Sequence, residues 1–187
     1  MLSSHDHSPF FNFPWESSED ISYYVVHCKP RQEKKLSVLL VQIARPHFLP
    51  LYTKALERKA GGTRTRQYES KLPLFPGYLF AVLHRDDLKD PRLNDSSARF
   101  IRVKPSEIPH FLRQLEQLAR ALDSEYSIAP YEHLERGSSV KITGGSLKGL
   151  EGFVVEHKEK QTFIIEIDLV GRAVAIDIDA GFLKKIV

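Results

Sequence analysis

The chain has 187 residues, 42% of them apolar and 10% aromatic, with Lys+Arg 27 against Asp+Glu 24; that supplies a packed core and excludes disorder throughout. The length suits one ordinary domain, or one with a small companion, and excludes two full-sized domains. The single cysteine, Cys28, excludes a disulfide framework and any multi-cysteine zinc or iron–sulfur site, and no run approaches the roughly 18 apolar residues of a membrane span, so the expectation is a cytoplasmic protein without membrane contact.

The charge is unevenly distributed. Residues 1–20 and residues 123–135 each hold 4 acids and no Lys or Arg, whereas residues 21–122 hold 19 Lys+Arg against 9 Asp+Glu. A positive block of that size is expected beside a polyanion, because neutralising phosphates releases counterions. Residues 136–187 are nearly balanced, with 8 against 7. The first twenty residues, acidic with Phe10, Phe11, Phe13 and Trp15, read as a disordered tail, with neither the basic end nor the apolar stretch of a secretory signal.

In chain order, Ser22 to Cys28 (SYYVVHC) is β-branched and aromatic and predicts a strand. Pro30 suits a first helical turn, and Leu36, Leu39, Leu40 and Ile43 recur at helical spacing, predicting a helix over 31–45 that Pro46 ends. Phe48 to Lys54 reads as a strand interrupted near Pro50, and Leu79 to His84 as another, with a long basic loop between them whose tip is Gly61-Gly62. Arg99 to Val103 is a short strand, and Phe111, Leu112, Leu115, Leu118, Ala119 and Leu122 share a second helical stripe. This order predicts an α+β sandwich with helices on an antiparallel-rich sheet. Residues 123–135 read as a linker. Beyond it Val140/Ile142, Phe163/Ile165/Ile167/Leu169 and Val174/Ile176/Ile178 alternate between glycine turns, predicting a small all-β barrel.

The residues of an enzyme do not converge in the sequence. The eight histidines are scattered, His5-x-His7 lies in the tail, and His27 and Cys28, adjacent on a strand, point to opposite sides and make no nucleophile–base pair. A binding protein without metal or cofactor is expected. The segment KLPLFPGYLF, Lys71 to Phe80, carries the strongest signal. Two prolines and Gly77 set an unusual turn, so Phe75, Tyr78 and Phe80 cannot all face inward on a simple strand period, and some are expected in an exposed aromatic patch that marks a partner site.

Read with YYVVHCKPRQEKK (Tyr23 to Lys35) upstream and SSVKITGGSLKGLEGFVVE (Ser138 to Glu156) downstream, this segment resembles the NusG family of transcription elongation factors. The resemblance implies an NGN domain, an α/β sandwich over residues 21–122, then the linker and a KOW barrel over 136–187. It implies an apolar cavity that grips the clamp helices of RNA polymerase, at Tyr23, His27, Phe75, Pro76, Tyr78 and Phe80, with Phe111 and Leu115 from the second helix. Lys29, Arg31, Lys34 and Lys35 near the first helix, and Lys54, Arg58, Lys59, Arg64, Arg66 and Lys71 around the basic hairpin, would lie along upstream or non-template DNA.

PLFPGYLF and HCKPRQ resemble the specialised RfaH-like branch, which the resemblance associates with operon-specific antitermination. The chain departs from that branch at Leu39, Gln42 and Ile43, where the branch reads a DNA element with polar side chains, and at Lys89, Asp90 and Pro91, where it touches the opposite clamp pincer. In the KOW loop, Val170, Gly171 and Arg172 stand where housekeeping members carry an exposed Phe before Gly-Arg for Rho and ribosome coupling. The expectation is a monomeric, non-enzymatic factor that suppresses pausing or termination, with Rho contact weakened and a small-subunit ribosomal protein as the KOW partner. Two other readings share these residues: a general NusG factor, and an RNA- or ribosome-binding KOW protein without polymerase contact.

Overall fold

The structure, a computed structural model, describes residues 20–60, 64–94, 98–131, 137–157 and 160–186. In order these form β1 (Ile21–His27), α1 (Glu33–Gln42), β2 (His47–Phe48), β3 (Leu51–Ala60), β4 (Arg64–Pro73), β5 (Tyr78–His84), α2 (Pro91–Asn94), β6 (Arg99–Arg102) and α3 (Ile108–Leu122). The carboxyl-terminal part adds β7 (Ile128–Tyr131), β8 (Ser138–Ile142), β9 (Glu151–His157), β10 (Lys160–Ile167), β11 (Arg172–Asp177) and β12 (Leu183–Lys185).

The first sheet has the order β2-β5-β1-β6 and is antiparallel at every pairing. Its central strands β1 and β5 are buried through their middles on both faces, because the sheet is sandwiched between helices. Tyr23, Val25, Phe80 and Val82 share a cluster with Phe111 and Leu115 of α3. Their neighbours Tyr24, Val26, Leu79, Ala81 and Leu83 share another with Leu36 and Leu40 of α1. Two covered faces require near-continuous apolar strands, which is why YYVV and YLFAVL show no polar alternation. The α+β sandwich read from the sequence is therefore present.

The carboxyl-terminal sheet is six-stranded and antiparallel, in the order β12-β8-β9-β10-β11-β7, as the small all-β domain read from the sequence requires. Its alternation holds at most positions: Val140, Ile142, Phe163, Ile165, Ile167, Val174 and Ile176 are buried, while Lys141, Glu151, Arg172 and Asp177 are exposed; Ile164, on the other face of β10, is buried as well. Gly152 is required by close approach, since a Cβ there would lie 2.3 Å from the Ile164 carbonyl oxygen and 2.8 Å from the Phe163 ring. Helix α3 touches this sheet with its polar flank. His110 Nε2 lies 2.7 Å from Asp168 Oδ2, the Asp168 N–H donates to Gln114 Oε1 at 3.3 Å, and Arg120 Nη2 donates to the Lys148 carbonyl at 2.9 Å.

The structure corrects the sequence reading in three places. The helix expected over 31–45 is shorter, α1, because Lys29 to Gln32 form a turn closed by the Gln32 N–H on the Lys29 carbonyl and Arg31 adopts φ 73. The long basic loop read from the residues is a ribbon of two ten-residue strands, β3 and β4, which among the described residues pair only with each other, in keeping with the basic hairpin that the family resemblance implied. Its many charges conceal a period-2 pattern that backbone pairing satisfies. The linker expected over 123–135 contributes β7, whose Ile128 to Tyr131 pair with β11. Proline in that segment is tolerated because β7 lies at the end of the ladder. The tail with His5 and His7, the Gly61-Gly62 tip and residues 132–135 lie outside the described residues.

Candidate functional site

The site is organised around the turn that delivers the chain into β5. Phe75-Pro76-Gly77-Tyr78 closes with the Tyr78 N–H on the Phe75 carbonyl at 3.0 Å, and Gly77 takes φ +85. Proline second and a positive-φ glycine third are the requirements of a type II turn. A Cβ on Gly77 would also come within 3.0 Å of the Cys28 carbonyl oxygen. Two further bonds pin the turn: the Cys28 N–H donates to the Gly77 carbonyl at 2.8 Å, and the Gly77 N–H donates to Glu33 Oε1 at 2.7 Å.

Glu33 is 2% exposed, and the sequence reading missed it. A buried carboxylate is costly unless hydrogen-bonded, and here the bond ties the first turn of α1 to the aromatic segment. The available signal was a lone acid at the start of a helix among Arg31, Lys34 and Lys35, in the run RQEKK. Burial, followed by the Glu33 charge, pushes the Cys28 thiol above its ordinary value; Cys28 is a core residue.

The aromatic residues divide into support and surface. Phe75 and Phe80 are 1% exposed, with ring centroids 6.4 Å apart, and Phe80 meets Phe111 edge-on at 5.6 Å. Tyr23, Phe111 and Leu115 are likewise buried. Of the three aromatics of this segment, of which some were expected in an exposed patch, only Tyr78 reaches the surface: Phe75 and Phe80 join the cluster that holds Phe111 of α3, a contact no local period reveals. Tyr78 is half-buried, while His27 and Pro76 are exposed. His27 and Tyr78 are cross-strand partners whose rings lie 4.7 Å apart, tilted by 34°. The eight expected residues therefore form one contiguous block with a surface of His27, Pro76 and Tyr78 over a packed aromatic base.

The basic residues are distributed around this block. Lys29, Arg31, Lys34, Lys35, Lys54 and Lys71 are exposed, and Lys34 Nζ donates to the Lys71 carbonyl at 2.6 Å, tying α1 to the ribbon. Arg58 pairs with Arg66, Lys59 with Thr65, and Ala60 with Arg64 in the ribbon register. Among the departures noted in the sequence, Leu39 and Ile43 are half-buried against the core and Gln42 is exposed. Lys89 and Asp90 are engaged by their neighbours Asp86 and Arg92.

In the carboxyl-terminal loop, Gly171 takes the left-handed conformation, with φ 57, and Arg172 is exposed. Val170 packs against the core cluster, and the apolar side chain that the loop exposes is Leu169, at 37%. The alternation noted for Phe163 to Leu169 fails at its last member because a short 3-10 turn, Asp168–Val170, interrupts the strand period. Among the described residues no cluster of His, Cys, Asp or Glu has the makings of a metal site, and no helix is long and apolar enough to cross a membrane.

Comparison with known proteins gives one informative result. The family model described as "Transcription termination factor nusG" matches residues 21–135. Among solved structures, a chain from "Crystal Structure of MjSpt4:Spt5 complex conformation B" is similar over 88% of this chain and 96% of its own, at 19% identity with a TM-score of 0.24; so loose an overlay adds nothing to the assignment. No curated protein matches significantly. The family model spans the sandwich, the Pro-Gly turn with its aromatic block and the start of the segment beyond α3, and on that match the chain belongs to the NusG family of transcription factors.

Proposed function

We propose that the chain is an elongation factor that binds the clamp helices of RNA polymerase through the Tyr78 surface and suppresses pausing or termination. The observation that carries this reading is the pinned Phe75–Tyr78 turn: a type II turn held by Glu33 and Cys28 presents His27, Pro76 and Tyr78 on a base of interlocked rings. A rigid aromatic surface loses little entropy when it receives the apolar ridge of a coiled coil. Bridging the two sides of the polymerase cleft would depopulate the open-clamp states that pausing requires. Residues 21–122 would be the polymerase-binding NGN domain, and Lys29, Arg31, Lys34, Lys35 and the ribbon would lie toward upstream or non-template DNA. The loop of Val170, Gly171 and Arg172, with Leu169 exposed beside it, would be the KOW partner site, a ribosomal protein being favoured over Rho.

The test is retention of purified RNA polymerase, or of its clamp-helix fragment, by immobilised wild type and by Tyr78→Ala. Tyr78 is half-buried at the surface, so the variant is expected to keep its thermal midpoint within a few degrees while losing more than about tenfold in affinity, as truncating a hot spot does. Equal retention by both proteins would overturn the reading.

A further inference from the structure

Helix α1 is apolar on two sides. Leu36 and Leu40 pack on the first sheet, whereas Val38 and Val41, at 56% and 65%, are the most exposed large apolar side chains among the described residues. A single exposed valine is ordinary. These two stand three residues apart on one stripe, together with the exposed Lys34, and Lys35 borders them. Beyond the carboxyl end of the helix lie Arg45, whose Nη2 donates to Asp87 Oδ1 at 2.8 Å, and the exposed Arg85. Along α1 the outer surface therefore runs from cations through an apolar patch to cations again.

The chain that precedes β1 joins the fold at the carboxyl end of this helix. The Arg85 N–H donates to the Asp20 carbonyl at 2.7 Å, which sets Asp20 beside the turn whose Asp87 holds Arg45. Residues 1–19 lie outside the described residues, and their sequence mirrors the helix surface. Counting back from Asp20, Glu19 and Glu16 come first, then Trp15, Phe13, Phe11 and Phe10, then Asp6. Acids, aromatics and acid in that order match Arg85 and Arg45, then Val41 and Val38, then Lys35 and Lys34. The reach is ample, because the helix from Val41 to Lys34 rises about 10 Å and an extended chain from Asp20 to Asp6 spans up to about 46 Å. Tethering at Asp20 gives the aromatic stretch an effective concentration on the order of millimolar at α1, so a weak contact suffices. Two valines are also far too small a patch for a second copy, since a stable interface takes about 800 Å² from each partner. We infer that the segment before β1 docks back on α1, with its aromatic stretch over Val38 and Val41 and its acids toward the cations at either end. The inference needs only this chain and takes nothing from the proposed function.

Trp15 is the sole tryptophan, so its fluorescence reads the contact in the full-length chain without a label. The reference is a free peptide of residues 1–20. In the wild type Trp15 is expected to emit at shorter wavelength than in the peptide and to be quenched several-fold less by acrylamide. Val38→Gln with Val41→Gln should bring both readings to the peptide's values. Glutamine is a better helix former than valine, so α1 is kept, as an unchanged thermal midpoint would verify. Lys35→Glu with Arg85→Glu reverses charge at both ends and should move the readings the same way. Ile101→Gln should leave them unchanged, because Ile101, 46% exposed, lies opposite Val25 on the face of the sheet that α3 covers. Peptide-like readings in the wild type, shielding that survives the paired valine or paired charge changes, or an equal response to Ile101→Gln would each overturn the inference. So would shielding that disappears on dilution, which would assign the contact to a second copy. Polymerase retention is not read in this experiment, so the inference and the proposed function fail independently.

Discussion

The two large sheets bury their strands differently. In the first, α1 and α3 cover opposite faces, so β1 and β5 are apolar on both sides and a substitution anywhere in their middles is felt in a core. In the carboxyl-terminal sheet one face is core and the other, Ile164 excepted, is largely exposed, so Lys141 and Glu151 on β8 and β9 form an exposed pair at 2.9 Å while Val140 and Ile142 beside them are buried. The difference shows where a sheet protein has room for a binding surface. A doubly covered sheet cannot present its own faces, and here the proposed surface lies where the chain enters β5, at a turn held by bonds from Glu33 of α1 and from Cys28, just past β1. A singly covered sheet presents its loops, as the Leu169–Arg172 corner does.

The largest expected effect tests the doubly covered sheet. Phe80→Ala removes a ring packed against Phe48, Phe75 and Phe111 and should cost about 3–5 kcal/mol, read as a lower denaturation midpoint at unchanged slope. Cost below about 1 kcal/mol would mean that α3 does not cover this face, and the comparison between the sheets would break. Loss of polymerase binding in this variant therefore carries no information about contact, unlike the loss expected for Tyr78→Ala.

A smaller effect tests the turn. Glu33→Ala leaves the buried Gly77 N–H without its acceptor, at a cost of about 1–3 kcal/mol. Hydrogen exchange should accelerate at Gly77 and Tyr78 and leave the carboxyl-terminal strands unchanged. Uniform acceleration through both sheets would show that the turn is not an independently held unit.

The smallest effect is a pH dependence confined to the first sheet. Burial holds His47 below its usual 6.5, between the Ser37 hydroxyl at 2.7 Å and the Arg45 carbonyl at 3.1 Å. A histidine with a depressed folded pKa binds fewer protons in the native state, so its contribution is complete above the unfolded value, about 6.5, and is lost as pH falls from there through the folded value. Exchange protection of β2 and β5 should fall on acidification below about pH 6.5, and His47→Gln should flatten that slope; an unchanged slope would remove the assignment.

Much of this architecture was written locally. The apolar runs of β1 and β5, the helical stripes of α1 and α3 and the alternation through Phe163–Ile178 are all periodic, and each forms the expected kind of element. The Pro-Gly turn was legible because those residues have few backbone options. What was not legible depended on distant partners. The β3–β4 ribbon looked like a loop because its stability comes from cross-strand pairs up to 22 residues apart, Leu51 with Pro73. Strand β7 looked like a linker because its only described partner, β11, follows more than forty residues later.

The sequence by itself therefore determined the family, the element types and which residues cluster around the turn, because periodicity, proline, glycine and motif order are properties of neighbours along the chain. Only the tertiary structure decided which of those residues remain available to a partner. Phe75 and Phe80 are claimed by α3, Tyr78 and His27 stay at the surface, and Glu33 becomes the buried anchor of the turn. Burial and register are relations between segments far apart in the chain, and no local pattern contains them.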